Sequence, residues 1–268
     1  MVKAPHFRSV FISDTHLGSK DCKAEFLLHF LNNMTCDTLY LVGDIVDMWS
    51  MSKQFRWPDA HNEVMHKIIT LSHGITKVIF LPGNHDAPLQ KYAGMQFGDI
   101  EIHRQCIHKT ADNKHYLVLH GDQCDDDVTL GKFHAWLGDK AYDTLLFVNR
   151  WFNQFRSWRN GHYWSLAGYI KRRIKGANQA IGRYKTATTK RAAEMGLDGV
   201  ICGHIHHPES DLVNGIHYVN DGDWIENCSA LVEDLQGRLS LIDWVAYTKE
   251  VTVSVLDVNE VGAKTKAA

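Results

Sequence analysis

Gly203-His204-Ile205-His206 follows directly on the apolar run Gly199-Val200-Ile201-Cys202. A short apolar run bounded by glycine reads as a buried strand, which puts the histidine pair at its carboxyl end. Neutral imidazole is a common metal ligand. In a turn the two rings can serve two ions; in a strand they point to opposite faces. Alone the pair is a weak signal, because a satisfied polar pair at a strand end has the same sequence. Its meaning depends on whether further ligands stand at comparable places.

Four such places exist. Residues 7–12 (FRSVFI) form a β-type run that ends in Ser13-Asp14-Thr15-His16-Leu17-Gly18. Residues 38–42 (TLYLV) run into Gly43-Asp44-Ile45-Val46-Asp47, where Asp44 is placed to bridge two cations and Asp47 to support rather than ligate. Residues 77–81 (KVIFL) run into Pro82-Gly83-Asn84-His85-Asp86, where asparagine offers a neutral oxygen and His85 can approach a substrate. Residues 115–119 (HYLVL) lead to His120-Gly121-Asp122. Any one of these is good turn or cap chemistry. Five polar clusters, each closing a short apolar run, are hard to ascribe to turns alone. Helical spacing predicts helices over 22–34 and 60–73, the first with Phe26, Leu27, Phe30 and Leu31 on one face.

The seven side chains Asp14, His16, Asp44, Asn84, His120, His204 and His206 comprise three oxygen donors and four imidazoles. That mixture suits two divalent ions of transition type. Magnesium would ask for more oxygen, and structural zinc usually involves cysteine. Manganese is the expected ion, with iron or zinc as alternatives.

Composition sets the remaining bounds. The chain has 268 residues, 44% of them hydrophobic and 22% charged, which suits a soluble globular protein. No run approaches the roughly 18 apolar residues of a membrane span. Residues 1–6 lead straight into a strand-like run, so no signal peptide is expected. The six cysteines form no CxxC pair and read as free thiols in a reducing cytoplasm. Net charge is only −2, yet residues 128–190 hold twelve Lys and Arg against two acids, a local +10. The same stretch carries twelve aromatics, with Phe147, Trp151, Phe155 and Trp158 at helical spacing. A second amphipathic helix is expected from Tyr163 to Ile174. Two helices packed on each other with a solvated basic face would account for the stripe. Apolar surface combined with cations suits an amphiphilic phosphorylated ligand or an anionic membrane surface. Nucleic acid is the lesser expectation. Beyond residue 218, the runs 218–220, 230–232, 239–242 and 251–255 suggest a second sheet with mainly antiparallel turns.

In order, D-x-H, G-D-x-x-D, G-N-H-D, H-G-D and G-H-x-H resemble the complete motif set of the calcineurin-like metallophosphoesterase superfamily. The resemblance implies an α/β fold, a four-layer αββα sandwich of two mixed sheets flanked by helices. It implies one domain over 1–258, a helical cap inserted at about 128–180, and a flexible tail at 259–268. It further implies that Asp14, His16 and His206 hold one ion, that Asn84, His120 and His204 hold the other, and that Asp44 bridges. Two ions about 3.5–4 Å apart would activate water and clamp the phosphoryl oxygens. By the same resemblance His85 stabilises or protonates the leaving oxygen, with Asp86 orienting it, and Asp47 and Asp122 brace the ligands.

A basic and apolar helical insertion between the last two motifs is similar to that of the UDP-2,3-diacylglucosamine diphosphatases. These are manganese enzymes of lipid A synthesis that release UMP from a lipid nucleotide. That likeness implies substrate contacts from Arg156, Arg159, Lys171, Arg172 and Lys175. It also implies a peripheral position on the cytoplasmic membrane face. The better-known branch of that family reads Gly-Asn-Arg-Asp where this chain has Gly83-Asn84-His85-Asp86. The departure leaves the metal chemistry intact and bears on the substrate. Another phosphoester substrate, or a binding module on this fold without catalysis, are the competing expectations.

Overall fold

The computed structural model describes residues 4–125 and 175–248. The basic aromatic segment, the expected strand at 251–255 and the tail fall outside the described residues, as do Arg156, Arg159, Lys171 and Arg172. Lys175 opens a described helix.

Two mixed sheets lie face to face. The first has strand order β12-β11-β1-β2-β3-β5-β4 and the second β6-β7-β8-β10-β9. At the centre of the first, β1 (His6–Ile12), β2 (Thr35–Leu41) and β3 (Lys77–Phe80) run parallel, with Val10 opposite Leu39 and Leu39 opposite Val78. Their crossovers are α1 (Ala24–Asn32) and α3 (Asp59–Ser72), preceded by the short α2 (Met48–Lys53). On the far edge β5 (Ile100–Ile102) runs parallel to β3 and pairs with β4 (Gln96–Phe97). In the second sheet β7 (His115–Val118), β8 (Gly199–Cys202) and β10 (Ile216–Asn220) are parallel. Antiparallel edges are supplied by β6 (Cys106–Lys109) and β9 (Glu209–Val213). Helix α4 (Lys175–Glu194) covers the outer face of this sheet.

Period-two alternation builds the layers. Phe11, Tyr40, Val42, Ile79 and Leu81 of the first sheet meet Tyr116, Val118, Ile201 and Val219 of the second in the inter-sheet core. Their neighbours Val10, Ile12, Leu39, Leu41 and Val78 face the other way, onto Leu27, Phe30 and Leu31 of α1 and Val64 and Ile68 of α3. Leu117, Val200 and Tyr218 face Tyr184 and Ala192 of α4. The order is helix, sheet, sheet, helix, the sandwich expected from the motifs.

One expectation fails. The runs at 230–232 and 239–242 do not join 218–220 in a sheet of their own. β11 (Ser229–Glu233) pairs antiparallel with β1, register Val10 to Val232, and β12 (Leu239–Asp243) extends that edge. The reason is burial. Every residue of β11 is buried, alternate side chains serving the α1 layer and the inter-sheet core. A strand buried on both faces belongs beside the central strand β1. β10 instead runs parallel to β8 because the 203–208 loop and β9, which is antiparallel to β10, carry the chain back to the end of the sheet where β8 begins.

Far from the carboxyl ends of the parallel strands, the sheets are stitched by a buried polar cluster. Arg8 donates to both Glu233 oxygens (2.7 and 2.8 Å), Ala111 N donates to Oε1 (2.8 Å), and His108 Nε2 meets Oε2 at 2.8 Å. His108 Nδ1 is bonded to the Tyr40 hydroxyl at 3.0 Å.

Candidate metal centre

All five motif loops leave the carboxyl ends of parallel strands and meet between the sheets. Backbone hydrogen bonds lace them together. Asp14 N donates to Gly43 O (3.0 Å), His16 N to Asp44 O (2.9 Å), Gly203 N to His120 O (3.1 Å) and Trp224 N to Asp14 O (3.1 Å). The Tyr184 hydroxyl, buried under α4, donates to the carbonyls of Gly203 (3.2 Å) and His120 (3.4 Å) and so ties two of the loops from outside.

Five of the seven candidate ligands have left-handed backbone: Asp14 (φ 49°), His16 (48°), Asp44 (53°), His204 (70°) and His206 (51°). For a residue with a Cβ this costs about 1 kcal/mol or more each. The loops hold these side chains against a local backbone preference.

The candidate ligands among the carboxylates and imidazoles fall into two groups whose donor atoms lie within 4.8 Å of one another, Asp14, His16 and His206, then Asp44, His120 and His204; His16, Asp47 and His85 form a third such group beside them. His206 Nε2 is 3.1 Å from Asp14 Oδ1, and His16 Nε2 is 3.8 Å from it. Asp44 Oδ2 stands between the groups, 3.8 Å from His16 Nε2 and 3.3 Å from His120 Nε2. Asn84 Oδ1 is 3.3 Å from His120 Nε2, on the second group's side. The two histidines of the GHIH turn thus stand in different groups.

These residues fit a pair of divalent ions. Among the described residues Asp14 Oδ1 and His16 Nε2 are buried and make ion-pair contacts but no hydrogen bond. Two donors each about 2.1 Å from one ion lie about 3–4 Å apart, which is the spacing found. Room is kept by glycine: a Cβ on Gly83 would sit 2.5 Å from Asp44 Oδ1, and one on Gly203 would collide with Asp14 and Ser13.

The remaining ligand atoms are aimed by hydrogen bonds. His120 Nδ1 donates to Val42 O (2.8 Å), which fixes the tautomer and leaves Nε2 for the site. His16 Nδ1 donates to Asp47 Oδ2 (3.2 Å) with the same effect. Asp44 Oδ1 accepts from His85 N (2.7 Å). Asp14 Oδ2 accepts from His204 N (2.8 Å) and shares the Ser13 hydroxyl with Asp221, 2.6 Å from each. Burial above all, with the Asp14 charge adding to it, holds the Asp221 carboxyl well above the usual range. His204 Nε2 meets Asp125 Oδ1 at 2.8 Å.

The charges respond as such a cluster must. Burial by itself would lower His16, but Asp14, Asp47 and Asp44 together hold it up at about 10. Burial would likewise raise Asp44, and His120 and His16 instead hold it below the usual carboxylate range. Without metal the His16 and His120 rings are held up by the carboxylates beside them, so metal binding there displaces protons.

Two expected roles need revision. Asp86 does not orient His85. Its carboxylate accepts from the backbone N–H of Ile45 (2.8 Å) and Gly83 (2.5 Å), bracing two loops against each other, and burial followed by Asp44 pushes it up to about 6. The residue that holds the His85 ring is Asp47, whose Oδ1 accepts from Nδ1 at 3.0 Å. Asp47 therefore grips His16 and His85 at hydrogen-bond lengths, one with each oxygen, and caps α2 through Ser50 N (2.8 Å). Asp122 accepts weakly from Gln90 (3.3 Å), and its other, buried oxygen has no hydrogen-bond partner among the described residues. Ser13, Asp125, Tyr184 and Asp221 were not singled out from the sequence. Ser13 and Asp125 adjoin or closely follow motifs, but only the tertiary fold brings Tyr184 and Asp221 to the site.

Five parallel-strand loops carrying an N/O donor set of this kind define a metallophosphoesterase centre, and the chain belongs to the calcineurin-like phosphoesterase family, which matches residues 7–208. It is similar to a UDP-2,3-diacylglucosamine hydrolase of Xanthomonas campestris, 28% identical over 85% of this chain and 96% of the relative. A protein of the same name from Chromohalobacter salexigens is 27% identical over 75% of this chain and 80% of that one. Among solved structures, a novel archaeal phosphodiesterase aligns with a TM-score of 0.42 and 15% identity over 87% of this chain and 98% of that chain, a distant likeness. The protein is a metal-dependent phosphoesterase, of a family that uses a dinuclear metal centre.

Proposed function

We propose that the chain hydrolyses the pyrophosphate bond of UDP-2,3-diacylglucosamine, giving UMP and 2,3-diacylglucosamine 1-phosphate, as a step in lipid A synthesis. The observation that carries the chemistry is the pair of donor groups joined by Asp44. The relatives' names carry the substrate. When bound, two divalent ions supply an activated water and neutralise the phosphoryl oxygens. Manganese is the ion best suited to three oxygen and four nitrogen donors.

The chain's own residues do the rest. Asp14, His16 and His206 would hold one ion and Asn84, His120 and His204 the other, with Asp44 placed between the two groups. Phosphoryl transfer needs little beyond positioning and charge stabilisation. His85 is the general acid or electrostatic partner of the leaving oxygen. Asp47 occupies its Nδ1, and its Nε2 makes no hydrogen bond among the described residues, so that nitrogen is the one left for substrate. Segment 128–190, with its net +10 and twelve aromatics, covers the acyl chains and seats the enzyme on the anionic cytoplasmic face of the membrane. Arg156, Arg159, Lys171, Arg172 and Lys175 are the proposed phosphate and headgroup contacts.

The test is UMP release from UDP-2,3-diacylglucosamine by the manganese-loaded full chain, with Asp44→Ala as the inactive control. Turnover of mononucleotide esters or phosphopeptides without UMP release would replace this substrate with another phosphoester. His85 in place of arginine in the GNHD motif is the observation that would then count.

A further inference from the structure

Helix α2 has only six residues and buries none of them. Its hold on the molecule is at the N-terminus, where Asp47 accepts from Ser50 N and Met48 N donates to His85 O (3.2 Å). The Met51 side chain lies against Gly18, in the loop that carries His16. A helix fastened to the metal loops rather than to the core has a placement set by the site. What it places there is Trp49, 51% exposed, with its ring centroid 4.4 Å from that of His85 at an interplanar angle of 38°. His85 in turn lies 4.5 Å from His16. The three rings form a file running from a candidate ligand outward to solvent.

Exposed tryptophan is costly surface in a soluble protein, and a large apolar ring left half in water beside a reactive histidine points to a ligand. We infer that Trp49 is a specificity-determining contact, a stacking surface for the nucleobase of a nucleoside phosphate whose phosphate is engaged at the metals and His85. The inference rests on the proposed nucleotide substrate only in requiring a base one ribose away from the attacked phosphorus. Indole offers a broad π face that every base can use, so the contact favours a base over no base and discriminates little among bases. It is a role independent of the acyl chains.

The experiment compares UMP with ribose 5-phosphate, which share phosphate and ribose and differ by the base. Binding of each to the manganese-loaded full chain is measured by calorimetry for wild type, Trp49→Ala and Trp49→Phe. Base stacking on an aromatic side chain predicts that wild type prefers UMP by about tenfold. Trp49→Ala should lose that preference, Trp49→Phe should keep most of it, and ribose 5-phosphate should bind all three alike. Equal weakening of both ligands in Trp49→Ala would overturn the inference and make Trp49 a packing support for His85. So would a wild type that does not prefer UMP. If the preference for UMP is found and depends on Trp49, but the lipid nucleotide is not cleaved, the proposed substrate falls and the stacking site stands.

Discussion

Asp47 divides its two oxygens between His16 and His85 while capping α2, so its substitutions should separate three effects that usually move together. Asp47→Asn keeps a capping acceptor but removes the charge that holds two imidazole N–H groups. Loss of such a support typically costs about 10–100-fold in metal affinity or activity. Metal affinity should fall through His16, and at saturating manganese kcat should still fall about 10–100-fold through His85. Asp47→Ala loses the cap as well, a further cost of about 1 kcal/mol and hence about 2–4 °C in Tm. A double-mutant cycle with His85→Ala isolates the route. On that background Asp47→Asn should change kcat at saturating metal by no more than about twofold, because the ring it acts on is gone. Steady-state kinetics across a manganese titration, with metal content measured in parallel, provides the numbers. An unchanged kcat for Asp47→Asn at saturating metal would refute the assignment, as would an equally large effect on the His85→Ala background.

Other expectations follow from the same geometry. Glu233→Gln breaks the Arg8–Glu233 charge pair within the cluster that stitches the sheets. It should cost about 3 kcal/mol, at the low end for a buried pair because Arg8 keeps 34% of its side chain exposed. Calorimetry should show a fall in Tm of about 6–12 °C while kcat at 20 °C is unchanged, since Glu233 pairs with Ser9, five residues before the first ligand. In metal-stripped protein the His16 imidazolium contributes stability that is fully present below its unfolded value of about 6.5. That contribution is lost as pH rises through about 10, the folded value. Replacing His16 by Gln should therefore flatten the decline in Tm between those pH values. Manganese binding to wild type near pH 7 should release protons, read as a dependence of binding enthalpy on buffer ionisation heat.

Much of the frame was legible because each central strand announces itself twice, by its apolar run and by the polar motif that ends it. The strand runs ending before Asp14, Asp44, Asn84, His120 and His204 all proved to be parallel neighbours, since a ligand site needs their carboxyl ends together. Helices α1 and α3 are visible from their helical spacing, and the face of α1 that carries Leu27, Phe30 and Leu31 is the one that is buried. β11 lies in the other sheet from the one its sequence suggests because Ser229–Glu233 reads alike in either; only its burial on both faces puts it beside β1. Hairpin β9–β10 was missed although Asn214-Gly215, both at positive φ, is a strong turn signal. Glu209–Val213 lacks an apolar alternation because its side chains are mostly exposed. Within the site, residue types and spacing pointed to the ligands but not to what holds them. Asp86 adjoins His85 in sequence, yet the backbone turns its carboxylate to Gly83 and Ile45, and Asp47, thirty-eight residues earlier, takes the ring.

The left-handed backbone at Asp14, His16, Asp44, His204 and His206 sets the fold's interest against that of its chemistry. Glycine adopts that conformation without penalty, so at each of these positions the substitution that destroys a ligand also relieves the local backbone. In a chelating buffer glycine at one of these positions should recover about 1 kcal/mol of backbone strain against the loss of the native side chain's ion pairs and hydrogen bonds, whereas in manganese the loss of a ligand is added. The five turns are thus places where the bonds of the side chain and the metal, not the backbone, keep the sequence as it is.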